Sequence, residues 1–241
     1  IYFYNIILCV VSRPTGVIRM SSVIELENVS KVYQMGKEKV IALKDVNLAL
    51  DEGEFISVIG PSGGGKSTLM QIMGCLDQPS SGYVYIDGLN TSKLNDSKLA
   101  KLRGKKIGFV FQASYLYPTL PMLIQGIAPS IRIKRAEKIL LDIGGLENLM
   151  AHFPSEISGG QQQRVAIARA LANDPAIILA DEPTGNIDSK QTQQVMDVFT
   201  SLHDKGYTII IATHDMDVAN VVIKKGGRMI KIKDGQVEEG K

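Results

Sequence analysis

The stretch Gly60-Pro61-Ser62-Gly63-Gly64-Gly65-Lys66-Ser67-Thr68 directly follows the apolar run Phe55–Ile59 and leads into the helix-like residues 69–72. Its spacing, G-x-x-x-x-G-K-S between a strand and a helix, lets successive backbone N–H groups converge on phosphate, with the positive helix end beneath them. Glycines permit the tight turn. Lys66 supplies a mobile charge for β- and γ-phosphates, and the Ser67 hydroxyl is placed to coordinate Mg²⁺. A plain glycine-rich strand-to-helix turn would not need every fixed position to match.

Working outward, residues 23–27 alternate, with Ile24 and Leu26 on one face and Glu25 and Glu27 on the other, and Val46, Leu48 and Leu50 repeat the period. This predicts half-buried antiparallel strands. Phe55–Ile59 and residues 176–180 and 207–212 are continuous apolar runs, as in central parallel strands covered on both faces. Residues 82–87 add a short strand before the turn Asp87-Gly88. Residues 131–143 have a helical rhythm within a stretch broken by Pro118, Pro121, Pro129 and Gly144-Gly145. The whole reads as an α/β fold with a mostly parallel central sheet, an N-terminal antiparallel β subdomain and a helical insert at about residues 116–172.

The chain has 241 residues, 44% of them hydrophobic, enough for a substantial core. Its net charge of +2 gives no overall field that would recruit nucleic acid, and no nucleic acid is expected as a partner. Cys9 and Cys75 lie far apart and form no metal-ligand pattern, which fits a reducing compartment. Residues 1–11 are apolar but much shorter than the about 20 residues of a spanning helix, and they lack a basic n-region. Because Met20 is followed at once by the strand pattern, residues 1–19 read as a non-native or disordered extension and 20–241 as one domain. A short interfacial segment is the competing reading of residues 1–19.

The run Ile177-Ile178-Leu179-Ala180 delivers Asp181 and Glu182 to the carboxyl end of a buried strand, where open α/β sheets bind ligands. Asp181 is placed to hold Mg²⁺, and Glu182 is suited to polarise an attacking water as general base. Alone, the pair also reads as a strand end with an acidic turn. Ser158 with Gln161 three residues later forms a capping box for the amphipathic helix that follows. The same hydroxyl, the Gly159 and Gly160 amides and the helix N-terminus also make a second anion site.

Ile157-Ser158-Gly159-Gly160-Gln161 resembles the LSGGQ signature of ATP-binding cassette (ABC) ATPases, with Ile157 in place of Leu, and the resemblance covers about residues 23–241. It implies a P-loop NTPase core, ATP and Mg²⁺ as ligands, and a homodimer in the ATP state. The signature 158–161 of one subunit then closes over the γ-phosphate on the P-loop of the other. Tyr33 corresponds to the aromatic residue that stacks on adenine, although it also reads as an ordinary strand aromatic. Gln112 matches the glutamine that touches Mg²⁺ and the attacking water, though a lone Gln can be a plain loop residue. Asp188, in Gly185-Asn186-Ile187-Asp188, matches the loop crossing the dimer interface, and a helix cap is its simpler role. His214 matches the histidine on the γ-phosphate, against the alternative of a structural strand-end histidine.

Residues 73–79, 108–112 and 158–171 look most like the ATPases of lipoprotein-releasing and macrolide-exporter systems, with cell-division ATPases of that branch also similar. The resemblance implies a transmembrane permease partner and a place on the cytoplasmic face of the membrane. Three departures stand out. Gly64 occupies a usual Ser position, which predicts a looser loop; residues 119–131 lack the usual acidic residue and Asn, reading Ile124-Gln125-Gly126; and the span from Gln112 to Ser158 is short. The last two bear on coupling rather than on hydrolysis. Rival readings are a cell-division scaffold or switch and, with no coiled coil or zinc module in the chain to favour it, a DNA-repair ATPase.

Overall fold

The computed structural model describes residues 22–112, 129–150 and 152–239. The expectations placed on residues 1–19 and most of those on 119–131 lie outside the described residues.

Two long strands, β1 (Ser22–Met35) and β2 (Glu38–Asp51), pair antiparallel, and β1 also pairs antiparallel with β4 (Ser81–Ile86). With β5 (Leu89–Asn90) they form a four-stranded sheet in the order β2-β1-β4-β5. The second sheet contains β3 (Phe55–Ile59), β6 (Ile107–Phe111), β7 (Ile177–Asp181), β8 (Thr208–Thr213), β9 (Arg228–Lys233) and β10 (Gln236–Glu239). Its order is β10-β9-β3-β8-β7-β6, parallel except for the β9–β10 hairpin. The fold class read from the sequence is the one adopted. Two of the expected central strands shift by a single residue.

The apolar runs make sense because the second sheet is buried on both faces. Ile56, Val58, Ile177, Leu179, Ile210 and Ala212 point into a core shared with the four-stranded sheet and α1 (Lys66–Met73). The residues between them, Phe55, Ile178, Ala180, Ile209 and Ile211, point into a second core. That core is roofed by α4 (Gly159–Leu171), α5 (Ser189–Asp204) and α6 (Met216–Lys224). The period-2 geometry of a strand thus splits one hydrophobic run between two layers. Each buried Ile or Leu contributes about 1.5–3 kcal/mol of transfer free energy.

Several elements go beyond the sequence-based reading. The helix α2 (Asp96–Lys106), capped by Asn95, leads directly into β6, and the sheet closes with β9 and β10. In the insert, α3 (Pro129–Asp142) starts at Pro129, a position where a missing N–H costs nothing, and the chain leaves it at Gly144 and Gly145, both with positive φ. α4, expected as the end of the insert, packs on β6 and α5 and so belongs equally to the core.

Candidate functional site: the carboxyl ends of the parallel strands

The parallel strands β3, β6, β7 and β8 release Gly60, Gln112, Glu182 and His214 at their carboxyl ends. The phosphate loop is built first. At Gly60 a Cβ would stand 2.1 Å from the Ile232 carbonyl oxygen, so only glycine fits between β3 and β9. Gly65, with φ +105°, starts α1 without any side-chain cap, which leaves the amides of the helix start for a ligand. Gly64 is tied at both backbone groups: its N–H donates to the Pro61 carbonyl at 3.0 Å, and its carbonyl accepts from the Gly235 N–H at 3.1 Å. The loop expected to be loose at this glycine is therefore braced by the β9–β10 turn.

Lys66 is 6% exposed, and its ammonium donates to the Gly60 and Pro61 carbonyls at 2.9 and 3.1 Å. It stands 3.5 Å from Glu182 Oε1. Glu182 follows β7 in the left-handed region, φ 48°, a costly conformation for a side chain with a Cβ. Its amide is held by the Ala212 carbonyl at 2.8 Å, which fixes the carboxylate at the mouth between β7 and β8. His214 Nδ1 lies 3.0 Å from each carboxylate oxygen. A carboxylate only accepts, so the contact is a hydrogen bond in the tautomer that carries the proton on Nδ1.

Asp181 is the deeper carboxylate. Burial raises its carboxyl above the ordinary range, reinforced by the Glu182 charge, while the Ser67 hydroxyl and Lys66 work in the opposite direction. Its Oδ1 is buried without a hydrogen-bond partner. A buried orphan carboxylate oxygen with a serine hydroxyl hydrogen-bonded to the same carboxyl is a hard-oxygen donor set, and it fits Mg²⁺. Among the described residues there is no cluster of three His, Cys, Asp or Glu that would cage a metal alone. That suits an ion completing its shell with water and phosphate.

Gln112 lies beside the loop after Glu182. A Cβ on Gly185 would come within 2.7 Å of Gln112 Nε2, and Asn186 Nδ2 donates to the Gln112 carbonyl at 3.5 Å. The strand end before it is held by Gln163 of α4, 3% exposed, whose Nε2 donates to the Phe111 carbonyl at 3.0 Å.

The capping box is present in both directions: Gln161 N–H donates to Ser158 Oγ at 3.3 Å, and Ser158 N–H to Gln161 Oε1 at 2.8 Å. Gly160 N–H donates instead to Gln191 Oε1 of α5, at 2.9 Å. Asp188 caps α5, its Oδ1 accepting from Gln191 N–H at 2.9 Å. No hydrogen bond or ion pair among the described residues joins residues 158–161 to the phosphate loop. The chain thus brings together Lys66, Ser67, Asp181, Glu182 and His214, and separately groups the signature with the Asp188 loop.

Tyr33 sits near the end of β1, with its hydroxyl donating to Asp77 Oδ2 at 2.8 Å. Lys31 bonds the other Asp77 oxygen at 2.6 Å and lies over the Tyr33 ring, 4.9 Å from its centroid. Burial and the Asp77 bond raise the phenol above its ordinary range. Desolvation alone would raise Asp77, but hydrogen bonds from Lys31, Tyr33 and the Gln78 amide, together with the Lys31 charge, outweigh it and lower the carboxyl.

The family model described as ABC transporter matches residues 43–185. The chain belongs to the ABC transporter family. It is an ATP-binding cassette of that family, an ATPase. It is 49% identical over 227 residues, 89% of its own length and 95% of the relative's, to the uncharacterized ABC transporter ATP-binding protein MJ0796 of Methanocaldococcus jannaschii. The solved dimeric structure of MJ0796 superposes with a TM-score of 0.80 at 47% identity, covering 90% of this chain and 97% of that one. A second dimeric MJ0796 structure, in a post-hydrolysis state bound to ADP and Pi, gives a TM-score of 0.80 at 45% identity, covering 90% and 98%. The macrolide export ATP-binding/permease protein MacB of Bartonella quintana is 44% identical over 89% of this cassette and 33% of its own length.

Within the cassette, Gln163, Gln191, Asp77, Lys31 and Gly235 brace the site, and the motif reading gave none of them a role of its own. Only Asp234-Gly235 carried a usable signal, the Asp-Gly pair of a two-residue hairpin turn.

Proposed function

We propose that this cassette binds ATP with Mg²⁺, closes as a homodimer around two nucleotides, and powers a membrane-spanning permease of the exporter or lipoprotein-release kind. The observation that carries the catalytic part is the meeting of Lys66, Asp181, Glu182 and His214 at the ends of β3, β7 and β8. The dimeric MJ0796 structures support the dimer, and MacB, an ATP-binding/permease protein, supports the permease.

The phosphates lie on the amides of residues 60 and 62–68, with Lys66 turning from the loop carbonyls to the β- and γ-oxygens. Tyr33 supports the adenine. Ser67, Asp181 and Gln112 would hold Mg²⁺, which would offset negative charge on the phosphate oxygens. Glu182 accepts the proton of the attacking water, and His214 keeps Glu182 aligned before meeting the γ-phosphate through its other nitrogen. Residues 158–161 and Asp188 act on the nucleotide of the second copy. Opening after hydrolysis is passed through Gln112 and the helical insert at about 116–172, which receives the permease at the cytoplasmic face of the membrane. Among the described residues no helix is long and apolar enough to cross a membrane.

The test is Glu182→Gln with ATP and Mg²⁺, followed by light scattering and phosphate release, then affinity capture from solubilised membranes. A dimer with little turnover and a co-purifying polytopic protein are expected. A species that stays monomeric would end the shared-site reading, and capture of soluble partners alone would end the permease assignment.

A further inference from the structure

The first turn of any helix leaves amides that its own backbone cannot satisfy, and the partners of those amides decide which remain for a ligand. In α4 the Ser158 and Gln161 amides are used by the capping box, and Gln162 N–H makes the first helical bond to the Ser158 carbonyl at 2.8 Å. The Gly160 amide goes to Gln191 Oε1. Ser158 and Gly159 are exposed, whereas Gly160 is buried.

The fit around Gly160 is close. A Cβ there would stand 2.8 Å from Gln191 Cβ and 3.0 Å from its Cγ, so the bare glycine backbone lies directly against the Gln191 stem. Gly159 is similarly close to the Asp188 loop, where a Cβ would be 3.2 Å from Ile187 Cγ2. Because Asp188 caps the Gln191 amide, one residue receives a hydrogen bond from the signature and donates one to the loop expected at the dimer interface.

We infer that Gln191 is a positioning residue for the signature: its side-chain oxygen locks the Gly160 amide and presents the Ser158 hydroxyl and Gly159 amide to the γ-phosphate held by a second copy of this chain. This rests on the shared-site reading above. It also makes the Asp188 loop and the signature one rigid unit, so a shift of the loop displaces the signature donors that serve the nucleotide of the second copy. Gln191 itself touches no nucleotide.

Two variants separate the hydrogen bond from packing. Gln191→Met keeps the length of the side chain and removes the acceptor, and Gln191→Ala removes both. In the Glu182→Gln background with ATP and Mg²⁺, each is expected to raise the protein concentration at half-dimerisation about a hundredfold, about tenfold for the support lost at each of the two signatures. ATP binding to the dilute monomer should stay within about twofold, showing an intact fold and phosphate loop. Amide exchange at Gly160 in the nucleotide-free monomer should accelerate about tenfold in Gln191→Met. Parental dimerisation by both variants, or by Gln191→Met alone, overturns the inference. If the Glu182→Gln parent forms no dimer, the shared-site reading fails and the role across the interface falls with it. Unchanged exchange at Gly160 beside a normal parental dimer overturns the positioning role alone.

Discussion

His214 Nδ1 stands 3.0 Å from both carboxylate oxygens of Glu182, so the imidazole straddles the carboxylate instead of meeting one oxygen. The histidine side chain is 62% exposed and the glutamate only 15%, which makes His214 the movable member of the pair. Glu182 is fixed by a left-handed backbone and by the Ala212 carbonyl. Glu182→Gln is expected to keep ATP affinity and to lower kcat by at least about 10²-fold, the usual contribution of a general base. His214→Ala should lower kcat to a similar degree with KM little changed. Steady-state ATPase assays check both, and a rise in KM with kcat intact would reassign the histidine to nucleotide binding.

Asp77 joins Lys31 to the Tyr33 hydroxyl, so its loss should release the aromatic ring from β1. Asp77→Asn is expected to weaken ATP binding about three- to tenfold, while inorganic triphosphate, which has no base to stack, binds as before. Equal weakening of both ligands would place the effect in the phosphate loop.

The same carboxylate has a predictable pH dependence. Its folded-state carboxyl lies below the ordinary range, so its stabilising contribution is present above the unfolded value of about 3.9 and is lost as pH falls through the lower folded value. The difference in unfolding free energy between parent and Asp77→Asn should be constant near neutrality and close at the acid end. Urea titrations at several pH values measure it, and a difference that widens on acidification would contradict the assignment.

Asp181 behaves oppositely. Burial raises its carboxyl, so holding it ionised at neutral pH costs stability in the nucleotide-free fold. Asp181→Asn should therefore abolish turnover yet raise Tm, by about 2–4 °C for each kcal/mol relieved. Calorimetry without nucleotide decides, and a lower Tm would show that the charge is already compensated within the protein.

Cys75 is buried, and burial pushes its thiol up to about 11, against a lowering effect of Arg103. Thiolate is the reactive form, so alkylation at pH 8 should be slow in the native protein and fast in denaturant. Peptide mapping by mass spectrometry reads this residue separately from Cys9. Rapid native labelling would mean that the end of α1 opens locally.

The fold was legible where burial is two-sided. β3, β7 and β8 are predominantly apolar, with Ser57 and Thr208 among the buried polar exceptions, because residues of both parities enter a core, and no other environment favours that pattern so strongly. α2 escaped because Leu99 is its one buried residue within an otherwise lysine-rich, exposed surface. β6 escaped because Gly108 interrupts it, at a place where a Cβ would meet the Ala170 carbonyl at 2.7 Å. β9 did carry a signal, with Ile230 and Ile232 buried between exposed Lys231 and Lys233, but its basic composition masks the alternation.

The motif residues were legible because phosphate chemistry dictates residue type at fixed spacing. Their supports were not. Gln163 and Gln191 look like ordinary polar positions on amphipathic helices, and only tertiary approach turns one toward Phe111 and the other toward Gly160.

The bond from Gly235 N–H to the Gly64 carbonyl has a temporal consequence as the chain is synthesised. Everything usually named as the phosphate loop is translated by residue 68, yet the brace that shapes it, Gly235, is translated only after β9. A nascent cassette therefore carries an unbraced phosphate loop until β9 and the turn after it have been made.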